Sequence, residues 1–434
     1  MGIMRTTLRT LALLAGLSAV LPPLAGAQEL PPPPPLRVFL DCERCDFDHL
    51  RREVPVVDYM RDRMDADVHV LVTSQQTGGG GQEYMFHFLG LRELAHLADT
   101  LRYVTRQTDT DAEVRDGITR TFRLGLVRYL AQTARSEVVD VIFPEPEGEG
   151  RPAQQTTPAD DPWNLWVFRA SASSELSGET RVRSAALDGS FRASRTTEEF
   201  KIDVSLDGGY EEEEYEYSSG EKELSSETDA GADIVAVWSL GPHWSWGAAA
   251  SAGVSTRLNQ KLSLKAAPAL EYSVYPYAES TRRQITVLYR VGVASYNYDE
   301  VTLYYKTSET RPEHSLEIAA DFTQPWGDLV VSLTGSNYLD DFSKHRVDLF
   351  AMTEIRLFRG FNLNVEGSIA RIMDQIYLGL EGATDEEVLL RRKELEKDFE
   401  YSFDVGFSFT FGSVFNNVVN PRIRTRGDYE YEHR

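Results

Sequence analysis

The sequence predicts a transmembrane antiparallel β-barrel of about twelve strands, preceded by a small periplasmic α+β domain. Three observations lead there. The chain opens on an export signal, no later segment is long and apolar enough for a membrane helix, and the second half alternates apolar and polar residues at a period of two.

The first residues set the compartment. Arg5 and Arg9 precede an apolar run from Leu11 to Leu24 that ends in Ala25, Gly26 and Ala27, the order of a charged n-region, a short h-region and an A-x-A cleavage site. Pro22 and Pro23 interrupt the run, which is too short to remain as a spanning helix. Residues 1–27 are therefore read as a signal peptide, and the absence of Cys at the cut argues against a lipid anchor. Residues 28–36 form a Pro-rich spacer, with Pro31 to Pro35 stiffened as polyproline.

Beyond the signal, membrane insertion has to use strands, because no stretch of eighteen or more uncharged apolar residues follows. A mean hydropathy of -0.36 is compatible with this, since only every second residue of a barrel strand meets lipid. The net charge of -23 excludes nucleic acid as a partner. An acidic outward surface suits divalent cations bridging to anionic headgroups of outer-membrane lipid.

Residues 37–143 read as the periplasmic α+β domain. Strands are expected at Arg37 to Leu40, Val68 to Ser74, Glu83 to Leu89 and Thr100 to Arg106, with Gly78 to Gly81 turning one hairpin. Helices are expected from Asp46 to Glu53 and from Asp111 to Thr133. Thr110 and Glu113 form a capping box for the second, whose Val114, Ile118, Phe122, Leu126 and Leu130 share one face. A strand-like run from Val138 to Phe143 closes the domain, and residues 144–162, rich in Pro, Glu, Gln and Thr, form a linker.

Residues 163–413 carry the barrel pattern. Phe399, Tyr401, Phe403, Val405, Phe407, Phe409 and Phe411 alternate with Glu400, Ser402, Asp404, Gly406, Ser408 and Thr410, so one face suits lipid and the other water. Strands are placed near 164–175, 181–194, 198–210, 227–240, 243–256, 260–274, 283–295, 314–323, 328–337, 344–358, 361–373 and 399–412. With the first strand running outward, the periplasmic turns are short and the outer loops long: Glu211 to Ser226, Tyr296 to Glu313 and Asp374 to Asp398. Residues 414–434 are left as a poorly ordered periplasmic tail, and Thr384 to Lys397 as a charged helix within the last outer loop.

A secreted soluble β-protein would also alternate. Against it stand the charges on nearly every polar face, strands longer than the usual five or six residues, and Trp163, Trp166, Trp244, Trp326 and Phe361 near the periplasmic strand ends. With its aromatic last strand, the region from Trp163 to Phe415 resembles the bacterial outer-membrane β-barrel class. That resemblance implies an outer-membrane location and no particular substrate. The N-terminal domain loosely resembles small periplasmic domains of envelope-assembly proteins.

The candidate functional residues are the charges expected to face the lumen: Arg169, Arg192, Lys201, Asp203, Asp207, Asp233, Lys265, Glu271, Arg290, Glu317, Asp321, Arg346, Asp348, Glu354, Arg356, Glu366 and Asp404. A charge at the lipid-facing midplane costs about 2–4 kcal/mol, which drives these side chains inward. Twelve strands lie between a filled interior and a wide water channel, so the lining serves either a narrow polar pore for small solutes or a salt-bridged structural plug. Cys42 and Cys45, the two cysteines, follow a strand and precede a helix as a redox pair would, but the surrounding Asp41, Glu43, Asp46 and Asp48 disfavour a thiolate, so a structural disulfide is expected. His314 and His345, near Ser315 and Ser343, would supply bases to an outer-leaflet lipid-modifying enzyme. No G-x-S-x-G, H-E-x-x-H or P-loop pattern supports catalysis, and no metal or cofactor is expected. A non-conducting assembly protein, docking a periplasmic partner through residues 37–143, is the other alternative.

Overall fold

The computed structural model describes residues 34–133, 161–217, 219–380, 396–415 and 417. The expected signal peptide and most of the expected spacer, the Val138–Phe143 run, the expected linker up to residue 160, most of the expected charged helix between Thr384 and Lys397, and residues 418–434 lie outside the described residues.

Two sheets organise the chain. The smaller has five strands: β1 (Leu36–Asp41), β2 (Val57–Tyr59), β3 (Val68–Gln76), β4 (Gln82–Gly90) and β5 (Ala98–Val104), in the order β2-β1-β3-β4-β5. β1 runs parallel to β2 and β3, while β3, β4 and β5 are antiparallel. β2 was missing from the sequence reading, because three residues after a Pro carry too little pattern to register. Helix α1 (Phe47–Glu53) and helix α2 (Asp111–Leu130) cover one face. The Thr110–Glu113 capping box forms, with the Glu113 carboxylate accepting from the Thr110 N–H at 2.8 Å.

Alternation explains the core. Val38, Leu40, Val68, Val70, Phe86 and Phe88 point to the helices and meet Leu50, Phe122, Leu126 and Tyr129, all buried. The Tyr129 hydroxyl donates to the Phe88 carbonyl at 2.8 Å, so the one polar atom this side chain brings into the core is satisfied. Gly125 lets α2 approach closely, since a Cβ there would lie 2.0 Å from the Phe88 ring. The opposite face of the sheet carries Phe39, Asp41, His69, Leu71 and Thr73.

The larger sheet is a twelve-stranded antiparallel meander. Its strands are β6 (Trp166–Gly178), β7 (Val182–Thr196), β8 (Phe200–Glu216), β9 (Lys222–Ser239), β10 (Trp244–Ser255), β11 (Gln260–Ser273), β12 (Arg283–Tyr298), β13 (Ser308–Gln324), β14 (Gly327–Tyr338), β15 (Asp341–Phe358), β16 (Phe361–Ile372) and β17 (Phe399–Phe409). Strand number and order are those read from the alternation. The sheet is not closed, because β6 and β17 pair only with their inner neighbours.

Two corrections concern the loops. Much of Glu211 to Ser226 is strand, as β8 continues to Glu216 and β9 begins at Lys222, and the Tyr296–Glu313 connection shrinks to residues 299–307. Glu211 to Glu214 put charge on both faces of β8, and Ser308, Thr310 and Pro312 leave the start of β13 without an apolar face, so the alternation on which a strand is recognised is lost in both places. The third correction concerns the tail. Met60 bridges to Phe415, the Arg61 N–H donates to the Val414 carbonyl at 3.1 Å, and the Tyr59 N–H donates to the Asn417 side chain at 2.6 Å. The segment after β17 thus lies along β2, satisfying part of an otherwise bare strand edge.

Candidate functional site: the polar face of the large sheet

Cross-strand register sorts the side chains into two faces. One row runs Trp244, Tyr272, Val287, Ile318, Leu333, Leu349, Ile369 and Tyr401 through eight consecutive strands, without a polar residue. The next row along runs Ser239, Ser245, Glu271, Leu288, Glu317, Thr334, Asp348, Ala370 and Glu400. The apolar face is exposed: Leu333 is 42% exposed, Ile369 53% and Phe407 74%.

The same registers place every one of the candidate charges, from Arg169 to Asp404, on the second face. Several are paired there: Arg192 with Asp203 at 3.1 Å, Arg290 with Glu317 at 3.4 Å, and Arg346 with Asp348 at 2.9 Å. Small residues, Gly247, Ala249, Ser251 and Gly253 on β10, leave room between them. Among the described residues no three acidic, imidazole or thiol groups converge to hold a metal, and no helix is long and apolar enough to cross a membrane.

This face is covered at both ends. At the end where β12 to β14 leave the sheet, Ile376 is buried with Ala294, Tyr296, Tyr298 and Tyr338, and Tyr377 packs against the group. At the opposite end the α/β domain meets the sheet through the face of its own sheet that the helices leave bare. Arg356 grips Asp41 with two hydrogen bonds, Nη1 to Oδ2 at 2.5 Å and Nη2 to Oδ1 at 2.6 Å, the bidentate fit of a guanidinium to a carboxylate. His69 Nε2 reaches the same carboxylate at 3.1 Å, and the Phe39 ring lies against both His69 and Arg356. Two further ties flank this one. Arg359 pairs with Asp65 at 2.5 Å, and the Gly360 N–H donates to Asp62 at 2.7 Å. Gly360 has φ +71°, a conformation that glycine takes without strain.

Sequence reasoning included Arg356 but missed its partners. Asp41 read only as a charge near the cysteines, and His69 sat inside a run that is apolar on both faces. That two-sided apolarity from Val68 to Val72 was the available signal, because a strand covered on both sides needs a second layer. Cys42 and Cys45 are joined in a disulfide. The histidines do not meet the serines proposed for them: His314 contacts the Tyr289 hydroxyl at 3.2 Å and the Asn337 side chain at 2.7 Å, His345 contacts the Phe342 carbonyl, and the Ser343 hydroxyl donates to Asp341.

Two domain groups are perturbed in ways that make this interface sensitive to acid. Burial alone would raise Asp41, but hydrogen bonds from His69 and Arg356, and their charges, hold its carboxyl below the usual range. Burial, helped by the Arg282 charge, pushes His87 down to about 4. A group depressed in the folded state adds stability above its unfolded pKa and loses it as pH falls. His87, whose unfolded pKa is about 6.5, thus acts between about pH 6.5 and 4, and Asp41 below about 3.9. The urea midpoint of the α/β domain, followed by near-ultraviolet dichroism of the full chain in detergent, is expected to fall from pH 6.5 to 4 and further below. His87→Gln should flatten the upper limb. A wild-type midpoint that is level from pH 7 to 4 would contradict the His87 assignment, and one that stays level below pH 4 would contradict that of Asp41.

No family model matches the chain, and no curated protein matches it. Among solved structures it is similar to the NanC porin, at 9% identity over 57% of this chain and 99% of that one, with a TM-score of 0.27. It is also similar to the β domain of the Bordetella autotransporter Brka, at 14% identity over 57% of this chain and 98% of that one, with a TM-score of 0.22. At those TM-scores neither likeness says anything further about this chain.

Proposed function

We propose that this chain is an outer-membrane β-barrel whose polar face lines a narrow path for small solutes, with the α/β domain docked at its periplasmic mouth. The observation that supports this best is the inverted arrangement of the large sheet. A protein folded for water would put the row from Trp244 to Tyr401 under cover; here most of that row is exposed, while on the polar face Arg356 lies against the α/β domain at one end and the Ile376 segment covers the other. Such a surface suits acyl chains. In lipid each unpaired backbone group costs several kcal/mol, so the bare edges of β6 and β17 have to pair with each other. They have the directions for it, since an even meander sends its first strand away from the domain and its last back towards it.

Refolded protein in a planar bilayer should pass discrete ion currents, larger when residues 35–133 are deleted. A non-conducting assembly role is the second reading, favoured by the cover at both ends of the polar face. It predicts no current with or without the domain, and a periplasmic partner whose retention depends on residues 37–143.

A further inference from the structure

Between the α/β domain and the large sheet lies a cavity of about 350 Å³ lined by Asp41, Glu43, Asp321 and Asp328, with Arg44 the one basic residue among its lining residues. Arg356, which neutralises Asp41, stands outside the lining. Asp321 and Asp328 have no ion-pair partner within 4 Å among the described residues. Asp328 lies opposite Thr323 on β13, two residues beyond Asp321, so the two carboxylates share the polar face as diagonal neighbours with Cα atoms about 7–8 Å apart. That spacing lets both carboxylates turn towards a single cation, held directly or through its water shell.

A second observation at the cavity points to a ligand. Thr73, on the face of β3 turned from the helices, lines the cavity, is only 6% exposed, and leaves its Oγ1 without a hydrogen-bond partner. A buried hydroxyl without a partner costs about 1–3 kcal/mol, and its lone pairs offer a neutral oxygen to a cation or to a water bound to one. Cations prefer such oxygen-rich surroundings, and small divalent ones retain several waters there.

Resting on the pore reading, we infer that this cavity selects small inorganic cations: a hydrated cation is held between Asp321 and Asp328, with Thr73 contributing an oxygen, at the mouth of the path. Walls of one charge sign in a restricted cleft concentrate the opposite ion, and rings of Asp and Glu give cation channels their preference.

The test uses full-length protein, wild type and Asp321→Asn/Asp328→Asn, with two readouts. In a KCl gradient across a planar bilayer, the wild-type reversal potential should show preference for K⁺, and the double variant should lose that preference several-fold. Independently, Mn²⁺ titrated into detergent-solubilised protein should enhance water-proton relaxation, and the double variant should lower that enhancement several-fold. Thr73→Val, which keeps shape and removes the oxygen, should weaken Mn²⁺ binding as well, and serves if the double variant fails to fold. A wild type that prefers Cl⁻, or a selectivity unchanged by the two Asn, would overturn the inference, as would the absence of Mn²⁺ binding. A wild type that passes no current yet binds Mn²⁺ through these residues would sink the pore reading and leave the cation site standing.

Discussion

Arginine at both Leu333 and Leu349 is expected to abolish stable insertion of the refolded chain into phospholipid vesicles. The two residues face each other across β14 and β15 in the middle of the apolar row, 42% and 39% exposed. Arg at a lipid-facing midplane position costs about 2–4 kcal/mol, so the pair removes about 4–8 kcal/mol before the repulsion between two cations in direct cross-strand contact is added. The sign of the result decides the environment. On a surface bathed in water the same substitutions would change stability by about 0.5 kcal/mol or less and would improve solubility. Heat-modifiable migration on gels and protection from protease in vesicles measure insertion, and Thr334→Arg, one position along on the polar face, is the matched control. A double variant that inserts as well as the wild type, or that folds unaided in plain buffer, would show that acyl chains do not touch this face.

The alternation that motivates this experiment was legible because it is redundant. Each large-sheet strand repeats the two-residue code, and a one-residue error in any strand would move its whole apolar set to the wrong face. Which residues share a face could therefore be read from the alternation alone through most of each strand. Where Glu211 to Glu216 carry charge on both faces, no code exists and the extensions went unread. The site followed the same rule. Charges such as Asp348 and Glu366 were recognisable because they interrupt an apolar alternation. Asp41 and His69 were not, since their role depends on a contact with Arg356 made 315 residues away in sequence. Thr73 was illegible for a further reason: a Thr in a β-branched run is an ordinary strand residue until its hydroxyl is seen to lack a partner.

Phe122→Ala is the second large effect expected, at about 3–5 kcal/mol, and it bears on the contact between the domain and the large sheet as well as on the domain. Phe122 is fully buried, with ring centroids 6.3 Å from Tyr59 and 6.5 Å from Phe88. Its loss removes the transfer energy of the ring and leaves a void that α2 is poorly placed to fill, because the helix already rides close at Gly125. Tyr59 also anchors β2, the strand along which the segment after β17 lies, so a softened core loosens the tie at Asn417 as well as the sheet that presents Asp41 to Arg356. Urea unfolding should show the near-ultraviolet signal of the domain lost at lower denaturant, with the heat-modifiable behaviour of the large sheet preserved. If the domain covers a conducting path, the same variant should open more often in a bilayer than the wild type at matched urea. A domain that melts early while the current stays unchanged would separate the two layers and show that the α/β domain does not control the mouth.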